Sequence, residues 1–288
     1  MEAKTPIDFS SASGSLRLYA EACGPRDAPL TILCLHGLTR NRADFDALVS
    51  RLSARYRLIT ADQRGRGKSQ WDPNPANYQP ATYVRDMFQL LDRLQIARVV
   101  LIGTSMGGIM SMIMAARQPT RVHAMVLNDI GPEVPNSGLR RLRHSLNTAA
   151  QIDTWNDAAR QAKRVNELAF PDYGAADWAA FARRIYAEDA SGRPVAAYDP
   201  AILDGLNAAD LSAVAPDLWS LWTQFSTIPT LAIRGELSDI LSADILATMA
   251  AQHPNLITAN IPNRGHAPML DEPAAQAAID AFLAGLES

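Results

Sequence analysis

The chain has few cysteines and no long apolar run. Cys23 and Cys34 are the two cysteines among 288 residues, and neither has C-x-x-C or metal-ligand spacing, so they predict neither a disulfide framework nor a metal site. No stretch approaches the roughly twenty consecutive apolar residues of a membrane span. The first six residues also lack the basic and apolar segments of a signal peptide. We therefore expect a soluble cytoplasmic protein with no membrane partner.

The chain also lacks a strong excess of either charge. A formal net charge of −3, with 20% charged and 48% hydrophobic residues, is typical of a globular protein and argues against nucleic acid as a partner. The glycine-rich stretch from Asp62 to Ser69 is not a phosphate-binding loop, because one residue rather than four separates Gly65 from Gly67-Lys68-Ser69. It predicts a structural turn with an Asp/Arg network and no nucleotide cofactor.

Strand and helix patterns alternate along most of the chain, which is typical of a large α/β domain. From Gly131 this alternation stops, and residues 131 to about 215 predict several helices without buried strands. We interpret that segment as an insertion. The predicted strands are 7–11, 16–20, 31–35, 57–61, 98–102, 124–127, 230–233 and 256–261.

Ser105 lies where a predicted strand meets a predicted buried helix. Gly103 and Gly107, two places on either side, permit a turn tight enough to expose the Ser105 hydroxyl above the sheet. This is the pattern of a nucleophile elbow. The backbone N–H of Met106, at the start of the helix, would point toward a developing oxyanion.

A serine nucleophile requires a base, and histidine has the appropriate pKa range. His266 is favoured, because it lies in a Gly- and Pro-bounded loop just past the end of a strand, where catalytic residues collect in α/β folds. Structural roles are predicted for the other histidines, and the role of His36 is to shape the backbone. These histidines are His36, His123, His144 and His253.

The base in turn requires a carboxylate. Asp239 and Asp129 each follow a predicted strand, and Glu236 is a weaker third candidate. We favour Asp239, because the order Ser105, Asp239, His266 is the chain order of α/β-hydrolases. Asp129 is the alternative acid, or else lines the pocket.

These motifs together resemble those of the capped α/β-hydrolase superfamily, over nearly the whole chain. The matching residues, in chain order, are His36-Gly37, Asp62-Gln63-Arg64-Gly65-Arg66-Gly67-Lys68-Ser69, Gly103-Thr104-Ser105-Met106-Gly107-Gly108, Arg234-Gly235 with Asp239, and Gly265-His266.

The resemblance implies an eight-stranded, mostly parallel sheet with helices on both faces. It divides the chain into a core of residues 1–130 and 216–288 and an inserted helical cap of residues 131–215. It also assigns the second oxyanion N–H to Leu38, as partner of Met106. One position departs from the family pattern: Ser238 stands where many members have the acid, so Asp239 fits only with a one-residue shift.

The sequence therefore predicts a cofactor-free, metal-free serine hydrolase that cleaves a small carboxylic ester or lactone through an acyl-enzyme on Ser105. A nucleophilic serine argues against the haloalkane dehalogenases and epoxide hydrolases that the fold also includes, since these use an aspartate. Three alternatives stay open: a C–C bond hydrolase of ring-cleavage products, a perhydrolase or acyltransferase, and a ligand-sensing protein on the same fold.

Specificity would depend on the inner surface of the cap. Spacing does not decide which of its aromatic residues face the substrate, and the sequence carries no signal for the oligomeric state. The candidates are Trp155, Phe170, Trp178, Phe181, Trp219 and Trp222.

Overall fold

The computed structural model describes residues 4–148, 151–208 and 218–287. Its strands are β1 (Thr5–Ser10), β2 (Arg17–Cys23), β3 (Thr31–Leu35), β4 (Arg57–Asp62), β5 (Val99–Thr104), β6 (Val122–Asn128), β7 (Tyr186–Glu188), β8 (Pro194–Ala196), β9 (Thr230–Gly235) and β10 (Leu256–Ile261). Its α-helices are α1 (Asp46–Leu52), α2 (Pro80–Arg93), α3 (Met106–Arg117), α4 (Asn136–Asn147), α5 (Trp155–Asn166), α6 (Ala175–Ile185), α7 (Asp204–Ala208), α8 (Trp219–Trp222), α9 (Ala243–Gln252) and α10 (Pro273–Gly285).

Eight of the strands form one sheet in the order β1-β2-β4-β3-β5-β6-β9-β10. Strand β2 is antiparallel to both of its neighbours, and the remaining pairs are parallel. The predicted eight-stranded, mostly parallel sheet is confirmed. This order brings the carboxyl ends of β3, β5, β6, β9 and β10 to one edge, where α/β folds bind ligands.

Helices cover both faces of the sheet, so the central strands are buried on both sides. Along β5, Leu101 packs with α2 and α3, whereas the next residue, Ile102, packs with α1 and α10. This alternation explains why the strand is apolar at nearly every position. No helix in the described part of the chain is long and apolar enough to cross a membrane.

The segment between β6 and β9 contains α4 to α8 and a small antiparallel pair, β7 and β8. Helices alone were predicted here. The pair escaped prediction because its strands have three residues each and are largely exposed, so they form no buried apolar run. Helices α5 and α6 enclose a separate apolar cluster that includes Phe170, Trp178 and Phe181. The predicted boundary between residues 215 and 216 lies outside the described residues.

The turn after β4 contains the predicted Asp/Arg network. Arg64 is buried and binds Asp86 through two hydrogen bonds, at 2.8 and 2.7 Å, as well as the buried carboxylate of Asp72. Asp62 binds Arg42 at 3.2 Å and accepts the backbone N–H of Lys68 at 2.9 Å. These contacts fix the loop that lies beside the site described below.

Replacing Arg64 tests how strongly this network stabilises the fold. Arg64→Met leaves two buried carboxylates without their cation, so we expect it to lower the free energy of unfolding by about 3–5 kcal/mol. Urea denaturation followed by circular dichroism measures the loss. As a control, Arg17→Met removes an exposed ion pair with Asp8 and should cost less than about 1 kcal/mol. Equal losses for the two variants would contradict the stabilising role of the buried network.

Candidate active site

Ser105 occupies a strained turn between β5 and α3. Its φ of 53° and ψ of −116° lie where side chains other than glycine are rare. Small neighbours permit this turn: a Cβ on Gly103 would lie 2.4 Å from the Gly107 carbonyl oxygen, and one on Gly107 would lie 1.9 Å from that of Leu35. The turn thus packs backbone against backbone and directs the Ser105 side chain into a cavity.

A chain of hydrogen bonds runs from Ser105 to a buried carboxylate. Ser105 Oγ lies 2.8 Å from His266 Nε2, and His266 Nδ1 lies 2.8 Å from Asp129 Oδ2. A carboxylate only accepts hydrogen bonds, so the Nδ1 proton is donated to Asp129 and Nε2 can accept the Ser105 proton. The imidazole is therefore in the tautomer that a general base requires.

The acid that contacts His266 is Asp129, the alternative candidate, and the prediction of Asp239 in that place is wrong. Asp239 faces the insertion, where its Oδ1 accepts a hydrogen bond from Arg141 of α4 at 2.7 Å. Burial raises the pKa of Asp239, but the hydrogen bonds and charge of Arg141 outweigh it, so the net pKa is lowered.

The one-residue shift along the β9 loop explains this difference. Ser238, at the family's usual acid position, points toward the histidine side of the loop and donates to Asp129 Oδ2 at 2.6 Å. The following residue, Asp239, binds Arg141 instead. Glu236, the third candidate, accepts the backbone N–H of Asn263 at 3.0 Å instead of contacting the histidine.

Two buried side chains that the sequence did not single out as site residues support this arrangement. Ser238 binds Asp129 and also accepts the N–H groups of Ile240 and Leu241, so its hydroxyl is fixed. Asn128 donates to Thr104 Oγ1 at 3.0 Å and to the Pro268 carbonyl at 2.8 Å, which ties the serine turn to the histidine loop. The departure at position 238 and the buried position of Asn128 at the end of a strand were the available signals.

His36 shapes the loop after β3 rather than acting on a substrate. It is fully buried, and its Nε2 accepts the backbone N–H of Gln63 at 3.0 Å. The ring proton is therefore on Nδ1, which donates to the Gly37 carbonyl at 2.8 Å. Burial and the nearby charge of Arg66 lower the pKa of His36 to about 3, so the ring is neutral.

The cavity above Ser105 has a volume of about 410 Å³ and lies between the core and the insertion. Its wall is largely apolar, and its charged groups include Arg40 and Arg141. Arg40 binds Asp44 through two hydrogen bonds of 2.8 and 2.7 Å, as Arg141 binds Asp239. Leu38 and Gly37 contribute to the wall beside Ser105. A cavity of this size and polarity suits a small organic ligand.

Two of the six candidate aromatic residues line the cavity, Phe170 and Phe181. Trp178 packs edge-on against both of them from behind. Trp222 is fully buried in the main core. The remaining two make polar contacts at the surface, as Trp155 binds Glu188 and Trp219 binds Glu133.

Structural roles were also predicted for three further histidines. His123 lies on β6 and His144 on α4, while His253 packs 4.9 Å from the ring of Trp222. Of the five histidines, His266 is the one that lines the cavity. Within the described ranges, no group of three or more His, Cys, Asp or Glu side chains could hold a metal ion.

The chain matches known proteins over most of its length. Residues 31–273 match the alpha/beta hydrolase fold family. The chain is 30% identical over 285 residues to a 3-hydroxybutyrate-oligomer hydrolase of Cupriavidus necator, covering 97% of each. It is also 30% identical over 237 residues to a 2-(acetamidomethylene)succinate hydrolase of Mesorhizobium japonicum, covering 82% of this chain and 81% of that protein.

A solved structure gives the same result. An alpha/beta hydrolase from Novosphingobium aromaticivorans is 40% identical, with a TM-score of 0.91 and 99% of both chains covered. The chain belongs to the alpha/beta hydrolase fold family. The two relatives that it matches over most of its length are hydrolases.

The tautomer of His36 can be measured directly. We expect a neutral ring, protonated at Nδ1, down to about pH 4, because the folded pKa is about 3. An unfolded histidine has a pKa of about 6.5, so this residue should make the folded state less stable as the pH falls from 6.5 toward 3. Long-range ¹⁵N–¹H NMR of the imidazole nitrogens, recorded as a function of pH, measures which nitrogen carries the proton and the pKa of the ring. A His36 ring that titrates near pH 6.5, or carries its proton on Nε2, would contradict the structure.

Proposed function

We propose that this protein is a serine esterase, which cleaves carboxylic esters through an acyl-enzyme on Ser105. The observation that carries the proposal is the continuous hydrogen-bond chain of Asp129, His266 and Ser105 at the wall of a largely apolar cavity. This chain supplies a nucleophile, a base in the correct tautomer and a carboxylate that stabilises the imidazolium.

In the proposed reaction, Ser105 Oγ attacks the ester carbonyl while His266 Nε2 takes its proton. The carbonyl oxygen becomes an oxyanion, which the backbone N–H groups of Leu38 and Met106 stabilise. His266 then gives the proton to the leaving alkoxide, which departs as an alcohol. Water attacks the acyl-enzyme by the same route, releasing the carboxylic acid and restoring the Ser105 hydroxyl.

The insertion acts in this proposal as a cap that selects the substrate. Its residues form much of the cavity wall, including Phe170 and Phe181, and Arg141 joins it to the β9 loop. We propose short oligoesters of a hydroxy acid as the first substrates to test, because the 97% coverage of the 3-hydroxybutyrate-oligomer hydrolase extends over the cap as well as the core.

A substrate panel tests the proposal. Linear 3-hydroxybutyrate dimers and trimers, p-nitrophenyl butyrate, a lactone and a vinylogous diketone are incubated with wild type and with Ser105→Ala. We expect turnover of the linear esters and a fall in kcat of at least about a thousandfold in the variant, since removal of the nucleophile leaves only binding and oxyanion effects.

The panel also separates the alternatives. Turnover of the diketone alone would indicate a C–C bond hydrolase, and faster acyl transfer to added peroxide or alcohol than to water would indicate a perhydrolase or acyltransferase. Ester hydrolysis that survives Ser105→Ala would overturn the proposed mechanism.

The identity of the acid is tested by a matched pair of substitutions. Asp129→Asn should lower kcat by about four orders of magnitude, because the amide favours the wrong imidazole tautomer. Asp239→Asn should lower it by less than about tenfold, because Asp239 contacts Arg141 rather than His266. Both rates are measured on p-nitrophenyl butyrate, with circular dichroism to confirm folding. If Asp239→Asn caused the larger loss, Asp129 would not be the acid.

A further inference from the structure

Arg66 is a fully buried guanidinium that forms no ion pair with any carboxylate in the described part of the chain. Its neighbour Arg64 has two carboxylate partners. The groups that act electrostatically on Arg66 are instead Tyr83, Tyr78 and the more distant Asp199. Burial lowers the pKa of Arg66, but arginine starts from a pKa above about 12 and keeps its charge. Burying a charge without an ion-pair partner is costly. The other contacts of Arg66 therefore show what stabilises its charge.

Those contacts reach both residues of the predicted oxyanion hole. Arg66 Nε donates to the Leu38 carbonyl at 2.7 Å, and Nη2 lies 3.7 Å from the Met106 sulfur. Nη1 donates to the Arg64 carbonyl at 2.9 Å, and the guanidinium lies 4.7 Å from the centre of the Tyr83 ring. The cation therefore contacts the backbone of Leu38 and the side chain of Met106.

Hydrogen bonds hold the peptide on each side of Leu38. The Gly37 carbonyl and the Leu38 N–H belong to one planar trans peptide and point in opposite directions. His36 Nδ1 binds that carbonyl at 2.8 Å, so the Leu38 N–H points away from His36. Arg66 holds the carbonyl of the next peptide. Together, His36 and Arg66 restrict both dihedral angles of Leu38.

The loop that carries Arg66 is joined to the insertion by backbone hydrogen bonds. Gly67 N–H donates to the Ala197 carbonyl at 2.8 Å, and Asp199 N–H donates to the Gly65 carbonyl at 2.8 Å. These two bonds pair the backbone of Arg66 with that of Tyr198 as an isolated antiparallel β-bridge. Tyr198 lines the cavity. A wall of the cavity is thus connected through Arg66 to the Leu38 backbone.

We propose that Arg66 is a positioning residue for the oxyanion hole, which fixes the Leu38 backbone and places a positive charge behind the position where negative charge develops. The proposal rests on the acyl-enzyme mechanism proposed above. A donor that binds the oxyanion contributes mainly in the transition state, and its loss lowers kcat by about 10² to 10³. Arg66 orients one such donor, the Leu38 N–H. Arg66 should therefore affect kcat and leave KM nearly unchanged.

The test compares Arg66→Met and Arg66→Gln with Ser69→Ala. Ser69 is a buried residue of the same loop that binds the Asp62 carbonyl and the Tyr19 N–H, so its loss weakens the loop without removing a contact to Leu38. Measurements are kcat and KM for p-nitrophenyl butyrate, the rate of Ser105 labelling by a fluorophosphonate, the inhibition constant of a trifluoromethyl ketone, and Tm.

For Arg66→Met we expect kcat, labelling rate and trifluoromethyl ketone affinity each to fall by about 100-fold, with KM changed by less than about threefold. Arg66→Gln should recover part of the loss, because its amide can donate to the Leu38 carbonyl without the charge. Ser69→Ala should lower Tm while kcat stays within about threefold of wild type.

Three results would overturn the inference: a folded Arg66→Met with wild-type kcat and ketone affinity, equal kcat losses for Arg66→Met and Ser69→Ala, or a KM effect that accounts for the whole change. If Arg66→Met does not fold, the same criteria apply to Arg66→Gln and to Arg66→Lys. Failure of the proposed function is distinguishable, because wild type itself would then not be labelled at Ser105. Labelling of wild type and the Arg66 variants at equal rates would overturn this inference alone.

Discussion

The site depends on the buried carboxylate of Asp129. A carboxylate removed from water requires compensation by hydrogen bonds, and here three groups supply it: the Gly235 N–H at 2.8 Å, the Ser238 hydroxyl at 2.6 Å and His266 at 2.8 Å. These groups come from the end of β9, the loop that follows it and the loop after β10, while Asp129 follows β6. The hydrogen bonds to this one carboxylate therefore bring three strand ends together and orient the imidazole of His266 toward Ser105.

The pairing of Ser105 with His266 could be predicted because the sequence signals for both residues are local. The turn at Ser105 requires small residues at fixed offsets, since a Cβ at Gly103 or Gly107 would overlap the neighbouring backbone, and such a requirement is visible in the sequence. His266 is bounded by Gly265 and Pro268 just beyond a strand. Parallel strands bring such loops to one edge of the sheet whatever the details of packing.

The carboxylate that contacts His266 could not be predicted in the same way. Asp129 and Asp239 both follow strands that end at the same edge, so position along the chain does not separate them. What separates them is the direction of each side chain, and in a turn this changes from one residue to the next. Ser238 and Asp239 are adjacent, yet one binds Asp129 and the other binds Arg141. Only tertiary contacts decide that choice.

The insertion illustrates the same limit. Its helices α4, α5 and α6 have amphipathic patterns that the sequence displays, whereas β7 and β8 are too short and exposed to produce a pattern. The cavity-lining roles of Phe170 and Phe181 also depend on how α5 and α6 pack. Long periodic elements are predictable because many of their residues indicate the same buried face. A single contact has no such repeated signal.

Asp239, which contacts Arg141 rather than His266, affects the charge of the cavity wall. Asp239 binds Arg141, and the approach of α4 is close enough that a Cβ on Gly138 would lie 2.4 Å from the Asp239 carbonyl oxygen. Arg40 is likewise paired with Asp44. Because both arginines of the wall already have a carboxylate partner, the wall presents little uncompensated charge. Affinity for a bound ligand must then come chiefly from apolar contacts, which favour burial but do not specify which bond reacts. In the proposed mechanism, the choice of the reacting carbonyl therefore depends on the fixed groups around Ser105, where the hydrogen bonds are directional.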